Sequence, residues 1–310
     1  MRVVFLGSAD FGIPALDLLH EKCTLAGVVA TPPRKSGRGL KFIESPVARH
    51  VRTLADIPVL TPERLDDSSF VAALRKLSAD CFVVVAYRIL PREVFSLPEL
   101  GTLNIHASLL PAYRGPAPIQ RAIEAGERET GITIFRIDEG IDTGEILRQK
   151  AVAIGAEETT PELYGRLSLL GAETLALTLD EIQKGECTPQ TQDHSRACKA
   201  PKLKKHESII DWSLTAQEIF NKIRAFKPFP GTATMTGTGR LGIEWGVPVT
   251  ETSSRKSCGS VVAVHPDSFD VQTGNGLFRV RVVKPEGRKA MAAADYLRGT
   301  ILREGMQFNE

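Results

Sequence analysis

A chain of 310 residues with 42% hydrophobic residues, 25% charged residues and a formal charge of +2 has an ordinary globular composition, long enough for two domains that each bury a core. No segment approaches the apolar length needed to span a bilayer, and five cysteines (Cys23, Cys81, Cys187, Cys198, Cys258) lack the close pairs of a disulfide framework or zinc module. The start, Met1 to Gly7, runs straight into a strand and turn without the apolar region and cleavage site of a secretory signal, so a cytoplasmic protein with reduced thiols and no metal is expected.

Short apolar β-prone stretches at Val3 to Leu6, Leu25 to Val29, Val59, Cys81 to Ala86 and Leu103 to Ile105 alternate with helical patterns near Ile13 to Leu19, Ser45 to Leu54 and Ser68 to Leu77. This alternation predicts a parallel α/β sheet. Ser45 reads as a helix cap, with Pro46 at the first helical position. A short helix follows at Pro118 to Ala125. Strands are expected at Thr133 to Ile137 and Glu145 to Ile154, then a long helix from Pro161 to Lys184 with Leu163, Leu167, Leu170 and Leu177 on one face. From Thr188 to Glu207 periodicity gives way to the polar, basic composition of a linker. Beyond it, Ser213 is expected to cap a helix carrying Ile219, Phe220, Ile223 and Phe226 inward. Five short strands then follow: Thr232 to Met235, Leu241 to Trp245, Gly259 to Val264, Phe269 to Thr273 and Leu277 to Val283. With a Gly274-Asn275-Gly276 hairpin turn, they predict a small β-barrel.

Charge is divided unevenly. Residues 194–310 hold 18 Lys and Arg against 11 Asp and Glu, while residues 1–193 hold 21 against 26. Such asymmetry fits either a polyanion contacting the second half or an idle basic surface. Two basic clusters stand out: Arg34-Lys35-Ser36-Gly37-Arg38-Gly39-Leu40-Lys41 and Lys199-Ala200-Pro201-Lys202-Leu203-Lys204-Lys205. The first is longer than a strand-to-helix connection usually is and suits a phosphate backbone, a substrate end or plain solvent equally. Gly7-Ser8-Ala9-Asp10-Phe11-Gly12 follows the first strand, but Ala9 stands where a dinucleotide fingerprint has its second glycine. A tight strand-to-helix turn, with room for an anion, is favoured over a nicotinamide site.

The chemistry-bearing run is Asn104-Ile105-His106-Ala107-Ser108-Leu109-Leu110-Pro111, followed by the acidic loop Asp138-Glu139-Gly140-Ile141-Asp142-Thr143-Gly144. On a strand Asn104 and His106 point to one face, and a carboxylate on a Gly-flanked loop could fix the tautomer or charge of the imidazole. Neither a nucleophile elbow nor histidines at metal-ligand spacing are present, so serine hydrolysis and metal catalysis are not expected.

These residues, together with Phe5 to Phe11, Gly37-Arg38-Gly39, Ala112 to Gly115, Ala117 to Gln120, Ile210 to Ser213 and Gly287 to Met291, resemble the methionyl-tRNA formyltransferases over essentially the whole length. The Asn-x-His-x-Ser-Leu-Leu-Pro element marks the wider group of folate-dependent formyltransferases. The basic loop and second domain single out the tRNA enzymes. The resemblance implies a Rossmann-like formyltransferase domain (1–190), a basic linker (191–207) and an OB-like β-barrel that binds tRNA (208–310). It implies 10-formyltetrahydrofolate as donor, methionyl initiator tRNA as acceptor and a role in translation initiation; a monomer is expected. Asn104, His106 and Asp142 would form the catalytic trio. Ser108, Leu109, Leu110, Pro111, Arg88, Ile89, Leu90, Asp138 and Gly140 would lie at the folate site. Arg38, Lys41, Lys202, Lys204 and Lys205 would meet the tRNA. One departure stands out: Ala86-Tyr87-Arg88-Ile89-Leu90-Pro91 is one residue shorter than the family segment lining the folate pocket and lacks its glycine. The rival readings are a folate-dependent formyltransferase for an amino sugar or ribonucleotide amine, and a catalytically inert RNA-binding relative.

Overall fold

The computed structural model describes residues 1–36, 41–54, 56–237, 239–249 and 256–309, excluding the side chains of Ser36 and Lys41. It divides into two compact units: Met1–Pro118, Glu129–Ala153 and Tyr164–Ala200 form the first, and Ile119–Arg128, Ile154–Leu163 and Pro201–Glu310 the second. Among the described residues no helix is long and apolar enough to cross a membrane.

The strands of the first unit are β1 (Arg2–Gly7), β2 (Thr24–Val29), β3 (Arg34–Ser36), β4 (Lys41–Ile43), β5 (Val59–Leu60), β6 (Cys81–Val85), β7 (Thr102–His106), β8 (Glu129–Arg136) and β9 (Ile146–Ala153). Seven of them build one sheet in the order β5-β2-β1-β6-β7-β8-β9. The first five run parallel, as the alternation predicts, whereas β8 and β9 turn back antiparallel. Residues 82–85 of β6 and 3–6 of β1 are buried without alternation, the mark of strands covered on both faces. Helices α1 (Ile13–Lys22), α2 (Pro46–Val51), α3 (Ser68–Lys76), α4 (Arg92–Phe95), α5 (Pro118–Glu124) and α6 (Thr160–Lys184) follow in chain order. Ser45 caps α2 as expected, accepting from the Ala48 N–H at 3.2 Å, but the helix stops at Val51.

The long helix differs from its expected face. Leu163, Leu167, Leu175 and Leu179 are buried, while Leu177 is 54% exposed. Buried Ser168, Thr174 and Thr178 widen the inner arc by satisfying their hydroxyls on main-chain carbonyls, which a count of leucines overlooks.

The turn after β1 is closed by the protein itself rather than left open for an anion. The Phe11 N–H donates to the Tyr164 hydroxyl (2.9 Å), which donates to the Asp10 carboxylate (2.5 Å). The Asp10 carboxylate thus brings a negative charge to this turn, which disfavours a second anion beside it.

In the second unit, β10 (Ala233–Thr236), β11 (Gly239–Val249), β12 (Val261–Val264), β13 (Phe269–Gln272), β14 (Leu277–Pro285) and β15 (Met291–Ala292) form an antiparallel sheet, β10-β11-β14-β13-β12 with β15 beside β14. This is the β half-barrel of an OB-like architecture. Register breaks near Trp245 bend β11, and a Cβ at Gly246 would lie 2.4 Å from the Phe278 ring, so only glycine fits where β11 crosses it. Trp212, Phe220, Phe269, Phe278 and Phe308 fill the core together with helix α7 (Ala216–Ala225) and a terminal helix, α8 (Ala293–Gly299), that the sequence pattern did not announce. The cap of α7 is Thr215 rather than Ser213. The Ser213 hydroxyl is spent on Asp211 (2.6 Å), whereas Thr215 and Glu218 form a capping box.

Candidate active site

The site is built where β7 ends. His106 is its last residue, paired with Thr133 of β8, and Asn104 lies on the same strand opposite Phe135. The Thr133 hydroxyl fixes the chain beyond β7. It donates to the Ser108 carbonyl (2.6 Å) and accepts from the Leu110 N–H (3.1 Å) and the Gln149 amide (2.9 Å), while Gln149 also donates to the Leu110 carbonyl (2.8 Å). The Ser108 hydroxyl donates to the Ala112 carbonyl (2.6 Å). Ser108 and Leu110 are buried supports of the turn, while Leu109 and Pro111 are half-buried.

His106 is 6% exposed and faces the edge of Phe135. Its Nε2 lies 2.9 Å from the Tyr113 carbonyl. A carbonyl only accepts, so Nε2 carries the proton and Nδ1 is left as the ring's acceptor nitrogen. Nδ1 faces Asp142 Oδ2 at 3.7 Å, close enough for charge stabilisation but too long for a hydrogen bond. The same carboxylate oxygen accepts from the Gly115 N–H at 2.7 Å. Thus the tautomer is set by the Tyr113 main chain, and of the two roles expected for Asp142, tautomer or charge, its distance leaves the second. Among the described residues the Asn104 side-chain amide finds no hydrogen-bond partner. Asp142 adopts φ +54°, a left-handed conformation that aspartate tolerates better than most residues. Asp138 organises the rest of its loop, accepting from the Gly140 N–H (3.0 Å) and the Thr143 hydroxyl (2.6 Å).

The shortened segment after β6 is held closed. Ala86 turns the chain at φ +47°, and the Arg88 guanidinium donates to the carbonyls of Pro62 (2.7 Å) and Glu63 (2.9 Å) and to the Tyr87 hydroxyl. Leu90 is buried in the core, which leaves the Ile89 side chain, 78% exposed, as the member of this trio that faces outward. An Arg92–Glu139 ion pair (2.9 Å) ties this stretch to the acidic loop, on which Ile141 is also exposed.

Of the expected tRNA-binding residues, Arg38 lies outside the described residues, and Lys41 is described only by its main chain in β4. Lys202, Lys204 and Lys205 are exposed around a buried Leu203. Glu207, which accepts from the Lys204 N–H and pairs with Arg121, pins this stretch, and Arg121 also donates to the Pro201 carbonyl.

Four parts of the site were given no role from sequence: the Tyr113 carbonyl, the Gly115 N–H, Thr133 and Gln192. The glycine at 115, which the structure holds at φ +122°, is a cue to a special turn. Residues 191–200, expected to be linker, are bonded into the first unit: Gln190 pairs with Ile146, and the main chain of Arg114 bonds to Cys198 and Ala200.

Residues 1–179 match the formyl transferase family, and residues 202–300 match the formyl transferase C-terminal domain. A methionyl-tRNA formyltransferase of Geobacter metallireducens is 40% identical over 309 residues, 99% of this chain and 98% of that protein. One from Marinobacter nauticus is 41% identical over 313 residues, covering 100% of both. Among solved structures, the sugar 3N-formyl transferase WlaRD, crystallised in the presence of dTDP and 5-N-formyl-THF, matches with a TM-score of 0.68 and 18% identity over 93% of this chain and 99% of that one. HypX from Aquifex aeolicus, in complex with tetrahydrofolic acid, matches with a TM-score of 0.61 and 19% identity over 96% of this chain and 47% of that one. The structural matches establish the shared fold, and the full-length identities go further: the chain belongs to the methionyl-tRNA formyltransferase family.

Proposed function

We propose that this chain transfers the formyl group of 10-formyltetrahydrofolate to the α-amine of methionyl initiator tRNA, supporting translation initiation as a cytoplasmic monomer. The observation that carries this reading is the identity of about 40% with methionyl-tRNA formyltransferases across the full length of both chains. In this reading the first unit, into which residues 191–200 are bonded, carries the transfer chemistry, 201–207 form a basic connecting stretch, and 208–310 contribute the tRNA-binding barrel.

The site suits the proposed donor on three counts: an unpartnered Asn104 amide, the exposed faces of Ile89 and Ile141, and the main-chain polarity of the 138–144 loop. These fit an aromatic heterocycle with polar edges. The donor supplies an N-formyl carbon as electrophile. A free α-amine titrates near ~7.7 to 8.0, so a useful fraction of the methionyl amine is neutral and able to attack at cellular pH. The Asn104 amide donates to the oxygen on which negative charge develops. His106 accepts the amine proton at Nδ1, its Nε2 proton being held by the Tyr113 carbonyl, and Asp142 stabilises the imidazolium so formed. As the new C–N bond forms and the old one breaks, His106 returns the proton to the departing nitrogen.

The acceptor is tested by salt. Replacing Lys202, Lys204 and Lys205 together by alanine is expected to weaken tRNA binding. It should also flatten the plot of log affinity against log salt by about 2 to 3, one step per lost phosphate contact. An unchanged slope removes these lysines from the interface. A small amine acceptor such as an amino sugar would show neither effect.

A further inference from the structure

Gln192 lies 50 residues from Asp142 in sequence, yet it is 4% exposed and reaches the catalytic loop. Its amide nitrogen donates to two carbonyls of that loop, those of Asp142 (3.0 Å) and Gly144 (2.7 Å). Its amide oxygen accepts from Arg114, Nε at 3.2 Å and Nη2 at 2.6 Å. Every polar valence of this side chain that faces the protein is therefore spent on two segments. One presents Asp142. The other is the 113–115 turn, whose Tyr113 carbonyl holds His106 and whose Gly115 N–H holds the Asp142 carboxylate.

We infer that Gln192 is a positioning residue for formyl transfer, a brace that sets the spacing between Asp142 and His106 by tying the acidic loop to the turn that orients the imidazole. The inference rests on the site roles proposed above. Three features carry it. Asp142 sits at φ +54°, a conformation that costs free energy and must be imposed by its surroundings, and Gln192 bonds its carbonyl directly. The Nδ1 to Oδ2 separation of 3.7 Å is not fixed by a bond between the two groups, so it depends on their supports. The Gln192 amide is buried, so an unmade hydrogen bond there carries the full desolvation cost, which favours the bonded arrangement over fraying. Only an uncharged amide serves. A carboxylate would keep Arg114 but set oxygen against the two carbonyl oxygens, and an apolar side chain of the same length would release both segments.

The experiment is single-turnover and steady-state formylation by Gln192→Met and Gln192→Glu, alone and combined with Asp142→Asn, with thermal unfolding recorded for each. A displacement of about an ångström at a catalytic pair costs roughly 100-fold in rate, so Gln192→Met is expected to lower kcat by about 10- to 100-fold with KM for both substrates little changed. Gln192→Glu keeps the Arg114 contact and so serves if the methionine variant fails to fold; it is expected to lose kcat likewise. Because the brace acts through Asp142, adding Gln192→Met to Asp142→Asn should slow the enzyme little further, whereas a separate structural role would multiply the two losses. Near-normal kcat in both single variants, or fully multiplicative loss in the double variant, overturns the inference. Near-normal kcat in Asp142→Asn alone would instead overturn the catalytic reading, and the brace with it.

Discussion

His106→Ala is expected to lower single-turnover formyl transfer by about 100- to 10,000-fold, the range associated with loss of a positioned acid–base group, while leaving tRNA binding close to that of the native enzyme. The substitution removes the imidazole whose Nδ1 faces Asp142 and opens a small void against Phe135. Asp142→Asn is the companion variant. Its amide oxygen can still accept from the Gly115 N–H, so the loop keeps its anchor while the charge facing Nδ1 is gone. A loss of similar order in both, with little change in KM, is the signature of two groups acting on one proton. Native-like rates in either variant would remove that group from the chemistry.

Gly144→Ala should be nearly as damaging, for a steric reason. A Cβ at this buried position would lie 1.7 Å from the Arg136 carbonyl oxygen. The obstacle is main chain in β8 and has no rotamer through which to escape. The acidic loop must lift from the strand, which breaks the Gln192 bond to the Gly144 carbonyl and carries Asp142, two residues away, off its mark. The expected result is a loss of roughly 100-fold in kcat, since misplacement of about an ångström is enough, together with about 1 to 3 kcal/mol of lost stability from overpacking. Equilibrium unfolding and single-turnover rates measure the two effects separately. A variant with native kcat would mean that the loop tolerates displacement and that the position of Asp142 is not critical.

Much of the architecture was legible because it depends on local pattern. Unbroken apolar runs such as Cys81–Val85 announce strands buried on both faces, and the hairpin turn at residues 274–276 lies between β13 and β14. The direction of β8 and β9 was not legible, since apolar alternation looks alike in strands running either way. The cap of α7 was misplaced because two hydroxyls compete there, and the choice depends on which one Asp211 takes. At the site, Asn104, His106 and Asp142 were visible as residue types in a known spacing. Their supports were not, for a physical reason. A carbonyl such as that of Tyr113 has no identity in sequence, and Gln192 gains its importance from contacts 48 to 78 residues away. Arg88 illustrates a different limit: sequence places a charged residue in the expected pocket segment, but only the structure shows that its guanidinium is committed to the carbonyls of Pro62 and Glu63.

The most direct test of the account is formylation by the native chain, with 10-formyltetrahydrofolate as donor and methionyl initiator tRNA, methionyl elongator tRNA, free methionine and a dTDP-linked amino sugar offered in parallel. The account predicts rapid transfer to the initiator methionyl-tRNA and little to the others. Transfer to the sugar amine with the tRNA untouched, or no transfer to any amine, would contradict it.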